Sequence, residues 1–508
     1  MVESNAMPEH PTVQAKHPRG LYTLFFTEMW ERFSYYGMRA LLVLFMIDQV
    51  ANGGMGMTDA TATAIYGIYT AAVYIVALPG GWIADRLIGM QRSIWYGGII
   101  IMLGHFTLAI PATWSFYLGL LFVVLGTGML KPTVSSVVGE LYPEGGARRD
   151  AGFTIFYMGI NLGAFLGPLV CSFLGEQINW HYGFAAAGVG MFFGLLQFRL
   201  TRRHLGEAGL RPPHANPDPV RQQAFARKSW TVIGALLAGL FGFVALALNG
   251  TFVLDPQVIA RSATYVIVGM VALFFLHIFT LGGLTTDEKK RTVVIIVLFC
   301  AAALFWAGFE QSGSSLNIFA FDHTDRSFLG GLFPAGVHPA GFYQSLNAMF
   351  IIALAPLYAW FWIALARRMM EPSLPVKFGL GLIVMGFGFL TMYFGAKVVL
   401  AGNQALPWWL ISTYLLHTMG ELTLSPVGLS ATTKLAPKNY KSQMMGIWFV
   451  GAALGNLVAG LLAGEATAGE GIAEMPAVYM QIFLTSAGGG LLLILLMKPI
   501  KSLMAGVR

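Results

Sequence analysis

Charge is scarce in this chain: only 11% of its 508 residues are Asp, Glu, Lys or Arg. Soluble domains carry about 25%, so a water-facing surface of ordinary extent is excluded. Cysteine is nearly missing as well. The two present, Cys171 and Cys300, lie in apolar stretches without the spacing of a disulfide framework or a thiolate metal site and read as packing residues. The N-terminus lacks the short apolar core and small-residue cleavage site of a secretory signal, and residues 1–20 read as a retained cytoplasmic tail. The sequence offers no metal-ligand cluster, no nucleophile paired with a base, no phosphate-cradling loop and nothing like a selectivity ring. The expectation is therefore neither an enzyme nor a channel, with no cofactor and no metal.

What is present is apolar: 56% of the residues, in runs that recur from Tyr22 to Met497. Each is about the 20 residues needed to cross roughly 30 Å of hydrocarbon. Bounded by charge, Pro or Gly, they predict fourteen spans: 21–47, 61–84, 93–110, 115–138, 152–174, 181–199, 229–249, 259–283, 291–320, 339–366, 376–397, 406–433, 441–464 and 475–497. The arrangement is an all-α membrane protein with an N-terminal six-helix bundle (21–199), a cytoplasmic linker (200–228), an accessory hairpin (229–283), a C-terminal six-helix bundle (291–497) and a tail (498–508). Two bundles with a cavity between them are the general plan of transporters built from repeats. The hairpin carries no Glu or Lys in its apolar interior and reads as a peripheral scaffold. Sorted by loop, nearly all Lys and Arg fall on one side and only Arg261, Arg326 and Lys397 on the other. By the positive-inside rule both termini are cytoplasmic, and the net charge of +7 reflects topology rather than a nucleic-acid partner.

Charges inside the spans carry the chemistry, because each costs roughly 2.5 to 3.5 kcal/mol at mid-bilayer on insertion scales. Glu28, Glu31, Arg32, Tyr35 and Arg39 fall on one face of the first span at helical spacing. Lys131 precedes Pro132 in the fourth span. Trp306 and Glu310 stand one turn apart in the ninth, and His417, Glu421 and Ser425 at successive turns in the twelfth. His417 reads as a hydrogen-bonded bystander. Four deep acids (Glu28, Glu31, Glu310, Glu421) face three bases (Arg32, Arg39, Lys131), so protonating one carboxylate neutralises the set, a physical reason to expect proton coupling. The bases lie in the first half and Glu310 and Glu421 in the second, a field that suits a zwitterion with its amine near Glu310 and its carboxylate near Arg39 and Lys131. Tyr35, Tyr74, Trp306 and Trp448 are candidates to line side-chain pockets.

The stretch Gly81-Trp-Ile-Ala-Asp85-Arg86-Leu-Ile-Gly89 resembles the loop motif of the major facilitator superfamily, with Gly81 permitting close helix approach and Asp85 placed to pair with an Arg. Three further motifs resemble the proton-dependent oligopeptide transporter family of that superfamily, bacterial type: Glu28-Met-Trp-Glu31-Arg32-Phe-Ser-Tyr35-Tyr36-Gly37, Phe156-Tyr157-Met-Gly-Ile160-Asn161-Leu-Gly163 and Gly420-Glu421-Leu422-Thr-Leu-Ser425-Pro426. Phe305-Trp306-Ala-Gly-Phe309-Glu310-Gln311 and Gln344-Ser345-Leu346-Asn347 support the match. The resemblance implies a major facilitator fold and a proton-coupled symporter importing di- and tripeptides by alternating access, in the cell inner membrane. Its partners are then small peptides, protons and membrane lipid, and the monomer is the working unit. It also implies that Arg39, Lys131, Asn161, Glu310 and Asn347 contact the peptide termini, and that Tyr35, Tyr74, Trp306, Ser425 and Trp448 help line the site. Glu28, Glu31, Arg32 and Glu310 take part in proton coupling, and Arg39–Glu310 and Lys131–Glu421 are salt bridges made and broken as the cavity switches sides. Some members use a second-span histidine for the proton, but 61–84 contain none here. Relatives in the family also move nitrate, a carrier role for which Glu310 would have less use. Asp322 is a candidate for an extracellular gate.

Overall fold

The computed structural model describes residues 16–506 apart from 145, 253 and 468–472. Most of the expected tail 1–20 and the end of the tail 498–508 lie outside these residues. Helices account for nearly all of the described chain: α1 (Arg19–Ile47), α2 (Asp59–Ile83), α3 (Met90–Leu108), α4 (Thr113–Glu140), α5 (Gly146–Gln177), α6 (Trp180–Thr201), α7 (Pro219–Leu248), α8 (Pro256–Thr280), α9 (Thr286–Phe309), α10 (Ser315–Asp322), α11 (Ser345–Arg367), α12 (Leu374–Leu400), α13 (Trp408–Leu435), α14 (Lys441–Thr467), α15 (Met475–Leu495) and α16 (Met497–Leu503). In hydrocarbon a helix is the one open segment that satisfies its own backbone. Among the described residues, eleven are long and apolar enough to cross a membrane, so the chain is a multi-pass membrane protein. α1, α3 and α13 fall outside that set; α1 carries five charged side chains, Arg19, Glu28, Glu31, Arg32 and Arg39.

Two expectations need correction. The span read as 291–320 is not continuous: α9 stops at Phe309, a 3₁₀ turn runs Glu310–Gly313, and α10 resumes at Ser315. The linker read as 200–228 is shorter, because α7 begins at Pro219. Asp218 accepts from the backbone N–H of Val220 and Arg221, and proline at the first helical position completes an N-terminal signal ten residues before the apolar run.

α1 packs on α5 and α6, α3 on α4, α12 on α13 and α15, and α9 on α14; contacts between α2 and α14 and between α5 and α11 join the two sets. The helices meet through small residues. A Cβ on Gly80 would lie 2.0 Å from the Gly128 carbonyl, the very group that Pro132 leaves without an intrahelical N–H. On Gly81, expected to allow this approach, a Cβ would lie 3.7 Å from Pro132, an ordinary contact. The hairpin is peripheral in packing: α7 buries no residue, and α8 rests on α2 and α14.

Bonds between the two sets gather at the end where α5 stops and α11 starts. The Glu176 carboxylate accepts from the backbone N–H of Ala340 (2.7 Å) and Gly341 (2.8 Å) and lies 3.4 Å from Arg326 Nη1. Arg326 donates in turn to the carbonyls of His338 and Phe321. Gln177 bonds Val337 O and Ala335 N, and Ser345 Oγ donates to Phe165 O. Asp322 takes no part in an ion pair among the described residues; Arg326, one turn on, pairs with Glu176 instead.

Candidate functional site

The intramembrane charges converge because each sits where its helix faces the junction. Glu28, Arg32 and Arg39 come from the buried face of α1. Glu310 stands at the start of the 3₁₀ turn that follows α9. Arg39 Nη2 stands 2.7 Å from Glu310 Oε2 and 3.1 Å from Ser312 Oγ, and Arg39 Nε donates to Tyr66 Oη at 2.5 Å. Arg32 Nε lies 3.2 Å from Glu28 and 2.5 Å from Glu31. Lys131 Nζ sits 3.9 Å from the centre of the Tyr74 ring, a cation–π contact. Glu421 Oε2 accepts from Asn347 Nδ2 at 3.0 Å, and the same amide reaches Thr418 Oγ1.

Arg32, Arg39, Lys131, Tyr74, Glu310, Ser312, Asn347 and Glu421 surround a cavity of about 150 Å³. Cations Arg32, Arg39 and Lys131 approach from α1 and α4, anions Glu310 and Glu421 from the 3₁₀ turn and α13. Tyr35, Tyr74, Asn161, Trp306 and Asn347, all expected at the site, line it too. A larger groove of about 710 Å³ between α1, α5 and α6 is lined by Met29, Trp30, Phe33, Leu166 and similar side chains. It holds no charged group, so the chemistry belongs to the smaller cavity.

Other expected residues stand differently. Ser425 and Trp448 do not line the cavity: Trp448 packs on Phe378 and against Gly428, and Ser425 Oγ is buried without a hydrogen-bond partner among the described residues. Their helical spacing is right, but α13 and α14 turn those positions into the packing between helices. Glu28 and Glu31 lie behind Arg32 rather than on the cavity wall. Lys131 and Glu421 form no ion pair among the described residues; aromatic and amide partners occupy them instead. Asp85 has no arginine partner there either: its backbone carbonyl accepts from His214 N, which ties down the linker. His417 lines the cavity beside Phe309 and Phe389, and neither ring nitrogen has a hydrogen-bond partner among the described residues.

The sequence reading missed Tyr36, Tyr157, Ser312, Gln344 and Tyr414, which also line the cavity. Tyr36 and Tyr157 stand inside motifs already noted, and Ser312 follows Glu310 by two residues. Neighbourhood to a named residue was the available signal.

The sequence profile described as the POT family matches residues 91–477. The chain is 41% identical over 498 residues to a peptide transporter of Yersinia enterocolitica, covering 96% of this chain and 95% of that one. It is 39% identical over 441 residues to a di-/tripeptide transporter of Lactococcus lactis, covering 85% and 86%. Among solved structures, a peptide transporter POT in complex with sulfate aligns with a TM-score of 0.87 at 40% identity, covering 96% of each chain. A mutant of a POT peptide transporter in complex with alafosfalin aligns at 0.85 and 40%, again over 96% of each. These relatives are transporters, not enzymes. The chain belongs to the POT family.

Proposed function

We propose that this protein is a proton-coupled symporter that imports di- and tripeptides by alternating access. The observation that carries the reading is the divided charge of the cavity, cations on α1 and α4 against carboxylates on the 3₁₀ turn and α13. A zwitterion spans such a field, its carboxylate taken by Arg39 and Lys131 and its amine by Glu310. Trp306 Nε1 and Gln344 Nε2 are buried donors without partners among the described residues, and they suit the carbonyls of a peptide. The relatives named as peptide and di-/tripeptide transporters support the substrate class.

In this reading all fourteen long helices span the membrane as two six-helix bundles and a hairpin in a major facilitator layout, with both termini cytoplasmic in the inner membrane and a single chain as the working unit. The Glu176 end is then extracellular, and the described conformation is closed on that side. The Arg39–Glu310 pair closes the cavity until substrate amine or a proton claims the carboxylate, while Glu28, Glu31 and Arg32 carry the remaining coupling. Lys131 and Glu421 pair in another conformation of the cycle. No cofactor takes part beyond the proton.

The test is uptake of a labelled dipeptide by reconstituted protein, with and without an inward proton gradient, repeated with a free amino acid and with nitrate. Gradient-driven uptake of the dipeptide alone is expected. Dipeptide uptake indifferent to the gradient refutes proton coupling, and preferred nitrate uptake refutes the substrate class.

A further inference from the structure

Arg39 has acceptors on two sides, and they belong to different parts of the molecule. Glu310 and Ser312 take its Nη2 from the 3₁₀ turn after α9. Tyr66 takes its Nε from α2, which begins just after α1 in the chain. Tyr66 is fully buried and does not line the cavity. The guanidinium lies over its ring, 5.6 Å from the centroid, and over Tyr36 at 5.8 Å.

The backbone opposite is shaped to this hydroxyl. A Cβ on Gly313 would fall 2.0 Å from Tyr66 Oη and 2.9 Å from Arg39 Nε, so only glycine leaves room for the pair there. When a peptide amine takes Glu310, Arg39 loses its carboxylate partner, and when the two sets of helices separate it loses Ser312 as well. The Tyr66 hydroxyl is the acceptor that travels with it.

We propose that Tyr66 is a positioning residue for Arg39: its hydroxyl pins Nε so that the Nη edge stays turned to the cavity, ready for the substrate carboxylate, after Glu310 has let go. An arginine stem without that anchor is free to leave the wall among its many rotamers. The hydrogen bond to a charged group also lies among the stronger ones. The proposal rests on the reading that the peptide carboxylate meets Arg39.

The test compares binding of alanylalanine and of its C-terminal amide to the full-length protein by titration calorimetry. In the unaltered protein the free acid binds more tightly than the amide. Tyr66→Phe, which keeps the ring, is expected to weaken the acid about tenfold or more and leave the amide unchanged, so the preference collapses. Equal weakening of both ligands, as from general loosening of the fold, overturns the proposal, as does no change in either. Should Tyr66→Phe fail to fold, Gly313→Ala displaces the same hydroxyl from the other side, and the same selective loss is required of it. Arg39→Gln separates the two levels. If it abolishes the acid preference while Tyr66→Phe does not, the carboxylate reading stands and the positioning role falls; if it keeps the preference, both fall.

Discussion

A guanidinium left 5% exposed is costly without partners, and Arg39 has three: an ion pair with Glu310 and hydrogen bonds to Ser312 and Tyr66. The pair with Glu310 is therefore asymmetric under mutation. Arg39→Ala strands a buried carboxylate, a loss of about 3 kcal/mol or more, whereas Arg39→Ala combined with Glu310→Ala removes both charges. The double variant is expected to melt at a higher temperature than Arg39→Ala alone in detergent; equal melting would mean the charges are solvated in the cavity. Glu310→Gln is expected to lose concentrative uptake while retaining exchange of labelled for unlabelled peptide across proteoliposomes, because it can still accept a hydrogen bond but holds no titratable proton. Normal concentrative uptake by that variant would remove Glu310 from the coupling. Much of this wall was legible at the residue scale, since an ionisable side chain in an apolar run is costly enough to be noticed singly. Arg39, Lys131, Glu310 and Glu421 announce themselves that way. Tyr36, Tyr157 and Tyr414 do not, because an aromatic in a span costs nothing and most such residues only pack.

Helix approach is governed by what is absent from a side chain. Gly80 of α2 meets the Gly128 carbonyl of α4 so closely that any β-carbon must push the two apart. Gly80→Val is expected to cost about 1–3 kcal/mol through overpacking, read as a fall in melting temperature. Gly239→Val on α7, which has nothing within 4 Å, serves as the silent control. An unchanged melting temperature for Gly80→Val would mean that α2 and α4 are not held at this distance. The helices were legible as apolar runs, but their breaks were not weighed. Gln311-Ser-Gly-Ser-Ser after Glu310 is a turn-prone cluster in an otherwise continuous stretch, and it marks where α9 gives way to the 3₁₀ turn. The early start of α7 was equally written in Asp218-Pro219, yet a reading led by hydropathy passes over a cap that precedes the first apolar residue.

For the whole molecule, coupling sets how far a gradient can be used. One proton entering down about 100 mV supplies about 2.3 kcal/mol. At 1.4 kcal/mol per tenfold, a neutral dipeptide moved with one proton accumulates roughly fifty-fold. Proteoliposomes held at that potential with equal pH on both sides provide the measurement, and accumulation that ignores the potential would exclude net movement of charge. Nothing in the sequence announced the contacts at the Glu176 end. Glu176 closes an apolar helix and Arg326 lies in a loop, and only folding brings the carboxylate to the backbone of Ala340 and Gly341.

In the proposed orientation, with the Glu176 end facing outside, that clasp bears on what a binding assay from outside measures. Peptide arriving at the Glu176 side meets only those molecules in which the clasp is open, so the apparent dissociation constant is the intrinsic one divided by the open fraction. An open fraction of about 1% would make the site look about a hundredfold weaker than it is. Glu176→Gln, which gives up the charge that holds Arg326 and two amides, should then tighten apparent binding of external peptide without touching a single residue of the cavity.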